Sequence, residues 1–184
     1  DGDTGGEPTQ FEYFCSKLEN LGVSAVVIED KQYPKRNSLD ADVAHVLEDP
    51  HKFASKVNRA KAICMSDAFM IFTRIESFIA KRGLDDAIMR ANIYLDSQAD
   101  GILIHSNQAT PDQVYAFMDA YEKLCAKKGI YKPVLCVPTT YNHVTDEELF
   151  EKGFNVVIYA NHLLRAAHKA MKETCQTILA NKRS

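Results

Sequence analysis

The stretch VSAVVIEDKQYPKRNSL, residues 23–39, decides the fold. Its first six residues are nearly all apolar, too short for a helix and without polar alternation, the pattern of a strand covered on both faces. The run ends abruptly in two carboxylates, Glu29 and Asp30, and a loop follows that holds Lys31, Lys35 and Arg36 around Pro34, then the neutral donors Asn37 and Ser38. A buried strand that opens at its carboxyl end into charge is one unit of an α/β fold with chemistry collected at one end.

Moving outward, the unit recurs. Upstream, residues 9–22 carry apolar side chains at Phe11, Phe14, Cys15, Leu18 and Leu21, a helical stripe stopped by Gly22. Downstream, strands are expected at 68–76, 99–106, 132–141 and 154–160, and helices at 49–65, 83–98, 110–129, 145–153 and 161–181. Pro50 suits a first helical turn, Thr110 an N-cap with Pro111 next to it, and Gly129 a helix stop. Apolar strands alternating with helices predict a parallel sheet under helical cover. No G-x-G-x-x-G turn follows the first strand, which argues against a dinucleotide-binding open sheet. Polar residues instead gather at strand ends: Asp1 and Asp3, Glu29 and Asp30, Arg74 and Glu76, His105 and Ser106, Thr139 and Thr140. A (β/α)8 TIM-type barrel would bring all of these to one mouth.

Composition sets the bounds. The 184 residues suffice for one core, and the net charge of −3 is spread without basic runs, so no nucleic-acid partner is expected. No apolar run has membrane length and no signal peptide opens the chain, so a soluble, cytoplasmic protein without a membrane partner is expected. Five scattered cysteines fit reduced thiols better than a disulfide framework.

Three groups of residues carry candidate chemistry. Asp1 and Asp3, followed by two glycines, make with Glu29 an all-oxygen set suited to Mg²⁺ or Mn²⁺, or else a solvated acidic turn. Arg74 lies inside an apolar strand and needs an anion, which either Glu76 or a substrate would supply. His105 ends its strand as a group able to donate to or accept from a substrate oxygen, or as a satisfied structural histidine. Asn161 and His162 are close enough to a strand end to reach the mouth. The loop cations Lys31, Lys35 and Arg36, with Asn37 and Ser38 and a proline to stiffen them, suit closure over a phosphorylated substrate, or else form a solvated charged loop.

Six motifs, DGDTGG, IEDKQYPKRNSL, TRIES, LIHS, VPTTY and VVIYANHLLRAA, stand in the order and spacing of the phosphoenolpyruvate mutase branch of the isocitrate lyase superfamily, which the chain resembles over nearly its whole length. E-D-K-x-x-P-K-x-N-S is the most specific of them, since lyases of the superfamily carry a K-[KR]-C-G-H loop with a catalytic cysteine. The resemblance implies a barrel, Mg²⁺, and interconversion of phosphoenolpyruvate and phosphonopyruvate for phosphonate biosynthesis. It implies Asp1, Asp3 and Glu29 as metal ligands, Lys35, Asn37, Arg74 and His105 as catalytic residues, and Lys31, Asn37, Ser38, Arg74 and His105 as substrate-binding residues. It implies a homo-oligomer, dimer or tetramer, and a possible fused nucleotidyltransferase domain outside this chain. The turn DTGGEP is one residue shorter than the D-x-D-T-G-Y-G usual in the family. Residues 1–184 are expected to form one domain, the C-terminal two-thirds of a barrel without its first strands. Phosphonopyruvate hydrolysis, or a non-catalytic barrel fragment that only binds or assembles, are the alternative readings.

Overall fold

The computed structural model describes residues 1–38 and 44–183; Leu39, the last residue of the stretch quoted above, and Ser184 lie outside the described residues. Eleven elements alternate: α1 (Pro8–Asn20), β1 (Ala25–Glu29), α2 (Pro50–Ile63), β2 (Met70–Ile75), α3 (Gly83–Leu95), β3 (Gly101–Ile104), α4 (Asp112–Lys128), β4 (Val134–Cys136), α5 (Asp146–Glu151), β5 (Val156–Val157) and α6 (His162–Asn181). The five strands form one sheet in the order β1-β2-β3-β4-β5, every pair parallel. Chain-order neighbours joined by helices are the construction of a TIM-type barrel, here an arc of five strands among the described residues where the closed barrel has eight.

Alternation along each strand divides the apolar residues between two layers. Val26, Ile28, Ile71, Ile75, Ile102, Ile104, Val134 and Cys136 point outward into the main core, where they meet Phe11 and Cys15 of α1, Phe53 and Val57 of α2, Ala91 and Tyr94 of α3, and Phe117 and Tyr121 of α4. Phe72, Leu103 and Leu135 point the other way and, with Val27, Met70, Val137 and Ile158 packed against them, form a smaller apolar floor on the concave face. Gly101 admits that floor: a Cβ there would lie 2.5 Å from the Phe72 ring and 2.7 Å from the Pro133 carbonyl oxygen.

Local signals act largely as read, with three corrections. Asp49 caps α2 by accepting from the His51 and Lys52 amides, Pro50 opens that helix, and Gly129 ends α4 at φ 67°. Thr110 is not the N-cap of α4; Pro111 holds that position, and the Thr110 hydroxyl instead donates to Asp112 at 2.8 Å. In α1 the buried stripe narrows to Phe11 and Cys15, with Leu21 78% exposed. The third correction concerns α6, expected as the closing cover of the sheet: it forms, but buries none of its residues.

Candidate active site

The concave face gathers charge at the carboxyl ends of the strands because the residues that follow the apolar floor in phase are polar. Val27 leads to Glu29, Phe72 to Arg74 and Glu76, and Leu103 to His105. The register sets Glu29 beside Arg74. Asp1–Asp3 joins them by docking on β1, with the Gly2 amide donating to Val27 O at 2.8 Å and the Glu29 amide donating to Asp3 O at 2.7 Å.

Glu76 is the hub. Its side chain is fully buried and receives four partners: the Ser38 hydroxyl donates to Oε2 at 2.7 Å, the Lys31 ammonium lies 2.8 Å from Oε2, and Arg74 Nε and His105 Nδ1 both meet Oε1, the latter at 2.8 Å. Burial alone would raise the Glu76 pKa, but His105, Arg74 and Lys31 overcome it and hold the carboxyl well below its ordinary value. His105 is pushed below its usual 6.5, chiefly by burial, so it stands neutral at pH 7. Nδ1 also lies 2.8 Å from the Arg74 guanidinium, so the ring is held between that cation and the Glu76 carboxylate while it lines the cavity. Arg74 also reaches Ser38 Oγ at 3.1 Å and Glu29 Oε2 at 3.6 Å, so both anions foreseen for it remain compatible: Glu76 is paired, and the guanidinium still lines the cavity.

Above this network lies a cavity of about 430 Å³ lined by Asp1, Lys35, Asn37, Ser38, Arg74 and His105, and also by Ser106, Thr139, Thr140, Asn161 and Arg165. A smaller hollow of about 180 Å³ lies beside it, over the apolar floor, and is lined by Asp1, Asp3, Glu29 and Arg74. Six of the nine residues singled out from the sequence therefore share the larger cavity, and Asp3 and Glu29 the smaller. Lys31 lies behind both, its ammonium committed to Glu76, Ser38 and the Arg36 carbonyl. Asp30, one residue from Glu29, faces the opposite side of the sheet and accepts from Arg90, Tyr94 and the Glu76 amide, tying the hub to α3.

For a divalent cation the donor set is suitable though not closed. Among the described residues, no group of three or more His, Cys, Asp or Glu side chains is arranged to hold a metal ion. Asp3 and Glu29 nevertheless converge on one cation already, the Lys35 ammonium, at 2.7 and 3.5 Å. Glu29 Oε1 is buried without a hydrogen bond, and burial raises the Glu29 pKa, the state of an oxygen that a stronger cation would satisfy. Asp1 spends Oδ1 on the Asp3 amide.

Two participants escape a reading of strand ends. Glu76 was visible only as a possible partner of Arg74; its fourfold role depends on Lys31 and Ser38 folding back from the loop. Arg165 sits on a helix, one turn beyond Asn161, inside the VVIYANHLLRAA motif but past the strand end that singled out Asn161 and His162. Asn161 does reach the mouth, whereas His162 lines a different hollow with Tyr159 and Asp146.

Known proteins resemble the chain over nearly its whole length. The family model described as phosphoenolpyruvate phosphomutase matches residues 1–179. Over 179 residues the chain is 37% identical to a phosphoenolpyruvate phosphomutase of Tetrahymena pyriformis, covering 97% of this chain and 57% of that protein. The crystal structure of phosphoenolpyruvate phosphomutase from Streptomyces platensis subsp. rosaceus superposes with a TM-score of 0.92 at 35% identity, covering all of this chain and 61% of its own. A phosphonopyruvate hydrolase in complex with oxalate and Mg²⁺ gives 0.86 at 32% identity, covering 98% of this chain and 60% of that one. The chain thus spans somewhat over half the length of the relatives it matches.

Proposed function

The chain belongs to the phosphoenolpyruvate phosphomutase family, and from that premise we propose that it contributes the active site of an Mg²⁺-dependent enzyme that interconverts phosphoenolpyruvate and phosphonopyruvate. The observation that carries the reading is the Glu76 hub, which orients Arg74 and His105 toward the same cavity that Lys35 and Asn37 reach from the loop. Such a site suits a reaction that needs positioning and charge compensation more than proton traffic.

In the forward direction the bond from phosphorus to the enol oxygen breaks and a bond from phosphorus to the methylene carbon forms, with no group gained or lost. The Arg74 guanidinium, held rigid by Glu76, would offset charge on the transferring group. His105 would stand against the oxygen left on the pyruvyl unit, and neutrality there would avoid a competing acid. Asn37 would hold the phosphoryl oxygens, and the loop around Pro34 would keep water from intercepting the group in flight. Asp3 and Glu29, with Asp1, would hold Mg²⁺, partly through water; the ion, when bound, supplies positive charge for the substrate's carboxylate and enolate oxygens. Lys35, now between Asp3 and Glu29, would then be available to the substrate.

Hydrolysis of phosphonopyruvate is the second reading, favoured by the similarity to the hydrolase structure over 98% of this chain. Phosphorus NMR of the full-length protein with phosphonopyruvate and Mg²⁺ separates the two. Phosphoenolpyruvate as product supports the mutase; inorganic phosphate with pyruvate supports the hydrolase; no conversion leaves the fragment that only binds. No helix of the described residues is long and apolar enough to cross a membrane, and a cytoplasmic enzyme acting on small molecules accords with that. The homo-oligomer draws support from α6, whose Leu163, Leu164 and Met171 are exposed on their own chain.

A further inference from the structure

Mg²⁺ at Asp3 and Glu29 would compensate the substrate end it binds, but the protein's own charge around the cavity leaves a second anionic end uncompensated. Four carboxylates, Asp1, Asp3, Glu29 and Glu76, face three cations, Lys31, Lys35 and Arg74, which leaves the group one charge negative with His105 neutral. All three cations are engaged: Lys31 and Arg74 with Glu76, and Lys35 with Asp3 and Glu29. One further cation lines the larger cavity. Arg165 has no carboxylate partner among the described residues, and it lies on the same wall as Thr139, Thr140 and Asn161.

Its direction follows from helix geometry. Side chains on a helix lean toward its N-terminus, and Arg165 is one turn into α6, its amide bonded to the Asn161 carbonyl at 2.9 Å. The side chain therefore reaches back over the mouth. The two hollows also differ in what they offer. Asp1 and Arg74 line both, but only the smaller adds the carboxylates Asp3 and Glu29, suited to a metal and the oxygens it binds; only the larger adds Lys35, Asn37, two threonines and Arg165, suited to a group with three acceptor oxygens.

We infer that Arg165 is a substrate-binding residue that contacts the phosphoryl end of the substrate, opposite Asn37. The inference rests on the proposed reaction for the identity of the substrate, yet its test does not need turnover. In the full-length protein with Mg²⁺, calorimetry would measure the affinity of phosphonoacetate, which carries a carboxylate and a phosphonate, and of oxalate, which carries carboxylates alone. Arg165→Gln is expected to weaken phosphonoacetate about ten- to a hundredfold, the span of one lost charge-assisted contact, and to leave oxalate within about twofold. Arg165→Lys should restore part of the loss, and Lys169→Gln, one turn further along the same face, should change neither. Equal loss of both ligands would make Arg165 a structural residue of α6 and overturn the inference, as would unchanged phosphonoacetate binding or a wild-type protein that binds neither. Selective loss in a protein that converts no phosphonopyruvate would uphold the contact while the proposed reaction falls.

Discussion

Glu76 concentrates more of the site's physics than any other residue. Replacing it with glutamine keeps the shape but leaves the buried Lys31 with only the more distant Glu29, at 3.9 Å, and removes the main anion of Arg74, so Glu76→Gln should cost about 3 kcal/mol, read from the denaturant midpoint. Asn37 is the contrasting case. It is exposed on the loop and lines the cavity, so Asn37→Ala should lower turnover roughly a hundredfold while the melting temperature stays within a degree or so; a fully active variant would remove it from the mechanism. The hub also predicts a pH response. Glu76 and His105 are both held below their ordinary values of 4.5 and 6.5. A group that binds its proton less readily folded than unfolded adds stability above its unfolded pKa and loses it as pH falls. Stability should thus be complete above pH 6.5, decline below it as the unfolded His105 takes up its proton, and decline again below 4.5 on account of Glu76. Thermal melts from about pH 8 to about pH 4 would show two limbs, and His105→Asn should flatten the first.

At the scale of elements, Gly101 makes the sharpest demand, because β3 begins where the Phe72 ring and the Pro133 carbonyl crowd its backbone. Gly101→Ala should destabilise by roughly 1–3 kcal/mol, measured by urea unfolding, and Phe72→Leu in the same chain should recover only the part due to the ring. The elements themselves were largely legible. Several helices carry their own punctuation, Asp49-Pro50 before α2 and Gly129 after α4, and β1 to β4 are runs too apolar for a surface. Strand ends were less legible: β4 stops at Cys136 ahead of Pro138, and β5 keeps only Val156 and Val157 of the seven residues expected. Ladder length depends on what the neighbouring strand offers, a tertiary fact that local pattern does not hold. The site divides in the same way. Glu29, Arg74 and His105 could be placed because strand periodicity puts them on one face at one end. The commitment of Lys31 to Glu76 and the reach of Arg165 depend on a loop folding back and on a helix direction.

Taken whole, the molecule has a well-filled outer core, a modest inner floor and a charged rim, and α6 stands apart from all three. Its twenty residues follow directly on the cavity wall at Ala160 and Asn161, yet none is buried. A helix that buries none of its residues among the described ones is held mainly by bonds within itself and opens with little free energy, whereas β2 opens only when the sheet does. Amide hydrogen exchange should therefore be fastest in α6 and slowest in β2 for the dilute protein. If a second copy covers the exposed leucines, protection in α6 should rise with protein concentration while that in β2 stays constant, as mass action requires. The last helix thereby becomes a clock whose rate reports association, and because Arg165 rides on its first turn, slowing of that clock should track the gain in affinity for the substrate.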